Sequence, residues 1–391
     1  MKEIYLDHAA TTYLDPRVEK AMGPFWQNVF ANPGSLHSPG LRAKEAVKKA
    51  RETIAKIINA EPKEIIFTSG GTESINLAIK GIALQKKAGH IITSQIEHPA
   101  VLSTCAYLEK LGFAVTYLPV DQYGLIQPDQ VEKAIQSNTI LISIMYANNE
   151  IGTIEPIAEI GKIAKKHKIL FHTDACQAAG ALNLNVKELN VDLMTLNGSK
   201  IYGPKGTGIL YKRADLRIEP LIHGGGQEAG MRSGTENVPG MIGFATALEL
   251  AQKERIKESK RLIQLRDYFI KRVLKEIPDT FLNGHPEKRL PNNINISFLN
   301  VEGESVLLYL NEKGICVSTG SACSSQKLEI SHVLKAIGLR HEAAHGSIRF
   351  TMGKKTTKAD LDYVIKVLPE VILPLRRLSP IHLKMTEIRK K

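Results

Sequence analysis

The chain reads as an α/β protein with a mainly parallel seven-stranded sheet in a large domain and a smaller α+β domain. Three observations predict this. Seven short apolar runs of strand character fall at 64–69, 90–94, 114–120, 139–146, 168–173, 193–196 and 208–212. Helical stretches at 72–85, 99–111, 128–136 and 156–167 separate several of them. Buried strands alternating with helices imply a parallel sheet. After about residue 255 the texture changes to a long charged amphipathic segment, 256–277.

Each element has a local reason. Pro99, Pro128 and Pro156 stand where a first helical turn tolerates proline. Short strand-like runs follow the amphipathic segment, at 293–298, 314–318 and 347–352, and 358–378 reads as a closing helix. Pro369 and Pro374 should limit that helix's regularity. The predicted division is 15–255 for the large domain, with 1–14 and 256–391 forming the small one. No internal repeat or low-complexity linker interrupts the chain.

Composition excludes several classes. The 391 residues are 43% hydrophobic and 24% charged, ordinary for a globular protein. The first residues carry no apolar stretch of signal-peptide length, and no run reaches the ~18 apolar residues of a membrane span. A cytoplasmic protein with no membrane partner is expected. Cys105, Cys176, Cys316 and Cys323 form no CxxC pair, so neither a zinc ribbon nor a disulfide framework is indicated. The net charge of +12 suits an acidic partner or RNA. The basic clusters at 253–275 and 389–391 also read simply as a solvated helix face and a tail.

Six constellations carry chemistry. Lys200, in Asn197-Gly198-Ser199-Lys200, and Asp174, in His172-Thr173-Asp174, each end a strand-like run. A lysine and an aspartate so placed point to pyridoxal phosphate (PLP), as Schiff-base lysine and partner of the pyridinium nitrogen. Taken singly, Lys200 also reads as a surface loop lysine and Asp174 as a helix cap. Ser69-Gly70-Gly71-Thr72 runs from a strand into a helix start, a place for a phosphate or an ordinary capped helix. Glu97-His98-Pro99 follows a strand; His98 could stack on a flat cofactor and move protons, or cap the next helix. Cys323, among small residues, reads as a thiol on a mobile loop. Arg349 alternates with Ile348 and Phe350, and suits a substrate carboxylate or a structural ion pair. Finally, His341-Glu342-Ala343-Ala344-His345 matches the HExxH zinc pattern. Gly338 and Gly346 leave its helix little more than two turns, and no third ligand has a recognised spacing, so a zinc site is rejected.

Together these segments resemble the NifS/IscS-type cysteine desulfurases, PLP enzymes of aminotransferase class V with the aspartate aminotransferase-like fold. The likeness starts at Tyr5-Leu6-Asp7-His8-Ala9-Ala10-Thr11-Thr12 and continues through Asn32-Pro33-Gly34-Ser35-Leu36-His37. It includes Asn148-Asn149-Glu150-Ile151-Gly152 and Arg232-Ser233-Gly234-Thr235-Glu236-Asn237, and closes at Ser347-Ile348-Arg349-Phe350. It implies that Lys200 carries the cofactor and shuttles the Cα proton, and that Asp174 pairs with the pyridinium nitrogen. Gln177 would contact the phenolic oxygen, and His98 would stack on the ring and act as acid–base. Gly71, Thr72, Asn197 and Ser199 would bind the phosphate, with Thr235 supplied by the second subunit of a homodimer. Asn149 and Arg349 would hold L-cysteine. Cys323 would take its sulfur as a persulfide, leave L-alanine, and pass the sulfur to an iron–sulfur scaffold or a tRNA-thiolation acceptor. The resemblance implies no intrinsic metal and leaves open a transient iron–sulfur cluster on Cys323.

Two departures stand out. Ser199 replaces the family's usual phosphate-binding histidine, and Ala229 replaces a usual arginine, which should remove a local ion pair. The length from Cys323 to Ser331 fits the long-loop subgroup. Competing readings are another class-V PLP enzyme, an aminotransferase or selenocysteine lyase, and a non-catalytic RNA- or scaffold-binding protein.

Overall fold

The computed structural model describes residues 3–319 and 330–389. In chain order its strands are β1 (Ile4–Tyr5), β2 (Ile65–Thr68), β3 (His90–Ser94), β4 (Ala114–Leu118), β5 (Thr139–Ser143) and β6 (Leu170–Asp174). Then follow β7 (Leu193–Asn197), β8 (Gly208–Lys212), β9 (Thr280–Asn283), β10 (Asn293–Phe298), β11 (Ile315–Cys316) and β12 (Ser347–Thr351). Seven of them form one sheet in the order β2-β8-β7-β6-β5-β3-β4. Its pairs are parallel except the two made by β8. All seven runs read from the sequence are strands of this sheet.

Both faces of the sheet are covered, and neighbouring residues serve opposite sides. Ile91, Leu141, Leu193 and Leu210 join Ile75, Ile79 and Ile82 of the helix Gly71–Lys86. Ile92, Ile142, Met194 and Ile209 pack instead with Val47, Ile54 and Ile58 of the helix Ser38–Ile58. Side chains alternate across a strand, so a sheet buried on both faces reads as a continuous apolar run.

A second core lies around the antiparallel sheet β12-β10-β9. It collects Ile294, Ile296, Ile348 and Phe350, together with Ile4 and Leu6 from the start of the chain. Strand β1 pairs with β11. The sequence does not predict β1 or β9: β1 has only two residues, and in β9 the apolar pair Phe281-Leu282 is closed off by the polar Thr280 and Asn283.

Two helices differ from expectation. The amphipathic segment expected at 256–277 is the second half of one helix, Val238–Glu276. Its first half buries Met241, Phe244 and Leu248 in the large-sheet core, and its second half buries Leu262, Phe269 and Val273 in the other. The opening turns, residues 238–248, are apolar except for Thr246 and offer no stripe for periodicity to find. The helix Lys358–Leu378 runs unbroken through Pro369 and Pro374. Its buried stripe of Leu361, Val364, Ile365, Leu368 and Ile372 holds it to the core, and the prolines lie on the less buried side. No helix among the described residues is long and apolar enough to cross a membrane.

Candidate active site

The carboxyl ends of the parallel strands open on a crevice, where α/β sheets bind ligands. Asp174 ends β6 and Asn197 ends β7; the single turn Gly198–Lys200 follows at once. His98 caps the helix Pro99–Lys110 behind β3. Its Nδ1 accepts the Ala100 N–H at 3.1 Å. Asp174 Oδ1 accepts the Cys176 N–H at 2.9 Å. His98 therefore makes the capping bond that the sequence offered as an alternative, whereas no helix starts at Asp174 and its bond to Cys176 closes a local turn at the crevice. These bonds fix the orientation of both side chains without using the His98 Nε2 edge.

Gly71, Thr72, Asn197 and Ser199 line one cavity of about 390 Å³, with Ser69, Gly70 and Lys205. The turn is built from glycines for definite reasons. Gly70 has φ +150°, and a Cβ on Gly71 would lie 2.9 Å from the Cys176 sulfur. Backbone N–H groups at the start of the helix Gly71–Lys86 and the Thr72 hydroxyl face a space suited to an anion. Asn197 Oδ1 accepts both the N–H and the hydroxyl of Ser199, each at 3.2 Å. Thr235 is exposed and does not line this cavity within its own chain.

Lys200 is held under the N-terminal segment. Its ammonium donates to the Ala10 carbonyl. Gln177 Nε2 donates to the adjacent Ala9 carbonyl at 3.0 Å. The Thr12 N–H and hydroxyl both donate to the Ser199 carbonyl, and Thr12 Oγ1 accepts the Tyr202 N–H. Burial lowers the pKa of Lys200, opposed by the nearby Cys176 thiol, Asp174 and Asp7. A lower pKa favours the neutral, nucleophilic amine. Burial likewise lowers the pKa of His98, against the pull of Asp174.

Arg349 projects from β12 opposite the buried Ile348 and Phe350. Nη1 donates to the Asn149 carbonyl at 3.1 Å and Nη2 to Asp7 Oδ1 at 2.7 Å. The two proposed substrate residues thus touch, and the ion-pair alternative for Arg349 is realised. The thiol of the fifth constellation, Cys323, lies outside the described residues.

Sequence reasoning missed three features. Asp7 was quoted only as part of a motif, and its pairing with Arg349 depends on β1 and β12 being brought together. Glu97 is fully buried: Oε1 accepts from the Ser94 hydroxyl at 2.7 Å and the Met145 N–H at 2.9 Å. Burial pushes its pKa up to about 8. The third is Glu228, beside Ala229. The expected loss of an ion pair at Ala229 is met by a different one: Arg51 donates to Glu228 Oε1 at 2.6 Å and Oε2 at 3.0 Å, and the Phe67 N–H donates to Oε2 at 2.8 Å. In the HExxH segment, His341 and His345 share a helix of only five residues, His341–His345, with ring nitrogens 3.1 Å apart.

A family model described as aminotransferase class-V matches residues 4–364. The chain belongs to the class-V aminotransferase family. Within that family it resembles proteins named cysteine desulfurase IscS. One from Dictyoglomus turgidum is 58% identical over 381 residues, covering 97% of each chain. Another from Methanosarcina thermophila is 54% identical over 382 residues, covering 97% of this chain and 94% of its own. Among solved structures, a NifS-like protein superposes with a TM-score of 0.90 at 40% identity, covering 95% of this chain and all of its own. A structure described as SspA in complex with cysteine superposes at 0.80, also 40% identical, covering 89% of this chain and 98% of its own. The chain therefore shares the α/β architecture of the NifS-like proteins, as the sequence predicted.

Proposed function

We propose that this chain is a PLP-dependent cysteine desulfurase. It takes sulfur from L-cysteine, leaves L-alanine and carries the sulfur as a persulfide on Cys323. The observation that carries the reading is the meeting of Lys200, Asp174, Gln177 and His98 at one crevice beside the Gly70–Thr72 cavity. The similarity to proteins named cysteine desulfurase IscS supports it.

The residues present fit the cofactor. The cavity at the start of the helix Gly71–Lys86 offers N–H groups, the Thr72 and Ser199 hydroxyls and the Asn197 amide to a phosphate. The buried Asp174 carboxylate suits a protonated ring nitrogen, Gln177 a phenolic oxygen, and Lys200 the covalent link. Bound there, PLP supplies an electron sink for bond breaking at the substrate Cα and Cβ.

The chain's own groups do the rest. Lys200, its pKa lowered by burial, accepts and returns the Cα proton at Nζ. His98 holds one ring face, and its Nε2 moves protons at the leaving sulfur. Asn149 and Arg349 orient the substrate, the arginine by its carboxylate. The Cys323 thiolate attacks the substrate sulfur; the C–S bond breaks, an S–S bond forms, and the electron pair left on carbon is protonated to give alanine. A thiol reductant or acceptor protein then releases the sulfur. Thr235 would complete the phosphate site of the opposite subunit in a homodimer. We further propose a cytoplasmic protein serving iron–sulfur assembly or tRNA thiolation.

The test is Lys200→Ala. Wild-type protein incubated with PLP should hold visible absorbance through dialysis and turn over L-cysteine. The variant should lose covalent retention and all turnover. A variant that keeps wild-type turnover would remove Lys200 from the chemistry.

A further inference from the structure

Arg349 meets a carboxylate of this chain at the position assigned to the substrate. Asp7 Oδ1 lies 2.7 Å from Nη2. The arginine side chain is only 3% exposed and the aspartate 18%. The Asp7 backbone is held in place. Its residue bridges Thr351, and its carbonyl accepts from the Ala10 N–H and the Tyr5 hydroxyl. Strand β12, which carries Arg349, is fixed between β10 and a bridge to Ser318. The backbones that carry the two charges are thus anchored from two ends of the sequence.

A buried guanidinium without a counter-charge is costly, and an immobile counter-ion relieves that cost. The same carboxylate must repel any anion that approaches the arginine. We propose that Asp7 is the resident counter-ion of Arg349 and a specificity-determining residue. It moderates the grip on the substrate carboxylate and keeps adventitious anions from blocking the site. This rests on the reading of Arg349 as the substrate-carboxylate residue. Asp7 keeps the resting site near neutral. An incoming carboxylate must share the guanidinium with it and wins only when the remainder of the substrate is also bound. Simple anions have no such remainder.

The probe is propionate, a carboxylate with no amino group to react with the cofactor. Asp7→Asn keeps the Oδ1 acceptor and the volume while removing the charge. It should bind propionate roughly tenfold more tightly than wild type, since one charge is lost at a few ångströms. Two readouts report this: the propionate-dependent rise in melting temperature, and competition with L-cysteine in alanine release. KM for L-cysteine should fall with it. Asp7→Ser, a second charge-removing change, should move propionate affinity the same way. Arg349→Ala in the Asp7→Asn background should abolish the effect. Unchanged or weaker propionate binding in both Asp7 variants would overturn the proposal, and so would tight binding that survives loss of Arg349. The melting readout needs no turnover. If wild type makes no alanine while Asp7→Asn still tightens propionate, the desulfurase reading fails and the Asp7 assignment stands.

Discussion

The Lys200 ammonium donates to the carbonyl of Ala10, a residue 190 positions earlier in the chain. The lysine is therefore set as much by the N-terminal segment as by the strand that delivers it. Thr12 stitches the same segment to the lysine turn through the Ser199 carbonyl and the Tyr202 N–H.

Thr12→Ala should accordingly cost more than a surface change. Thr12 is buried, and removing its hydroxyl strands the Tyr202 N–H, a penalty of about 1–3 kcal/mol. Thr12→Ser keeps both bonds and should lie close to wild type. Urea midpoints of the three proteins check this. Equal midpoints for wild type and Thr12→Ala would mean that the segment does not hold the turn.

Glu97 predicts a pH dependence. Its carboxyl titrates near 4.5 in the unfolded chain and at about 8 when folded. Between those values the folded state holds more protons than the unfolded one, so this group makes stability fall as pH rises from 4.5 to 8. Glu97→Gln mimics the protonated acid and keeps an acceptor for Ser94 and Met145. It should flatten that slope and raise stability at pH 8 by several kcal/mol, the order expected for a shift of this size. Parallel pH profiles of unfolding free energy for the two proteins would contradict the assignment.

The Arg51–Glu228 pair predicts a structural loss. Glu228 is buried and also caps the Phe67 N–H on β2, the strand leading into the Gly70–Thr72 turn. Glu228→Ala should destabilise by about 2–4 kcal/mol, because it leaves Arg51 and that N–H without their acceptor. Chemical denaturation measures it. A loss below 0.5 kcal/mol, the ordinary scale of a surface change, would show that Glu228 is not a keystone of this turn.

The sheet was legible because its strands are buried on both faces and read as unbroken apolar runs such as Ile91–Ile92 and Leu141–Ile142. Lys200, Asp174 and the Gly70–Gly71 turn were legible because each ends or follows such a run. Three things were hidden. The opening turns of the helix Val238–Glu276, residues 238–248, are apolar except for Thr246 and have no stripe to detect. Asp7 and Arg349 are paired only by the meeting of chain segments hundreds of residues apart. Glu97 looks like any charged residue beside His98, and only its complete burial reveals it as an acid that stays protonated at neutral pH.

The most direct measurement is alanine and sulfide release from L-cysteine in the presence of a thiol reductant, comparing wild type with Cys323→Ala. The account predicts that wild type yields both products in equal amounts. It predicts that the variant retains the visible absorbance of bound cofactor but loses sulfide formation. Undiminished sulfide from Cys323→Ala would contradict the persulfide route, and a wild-type protein that binds PLP yet releases neither product would contradict the desulfurase assignment itself.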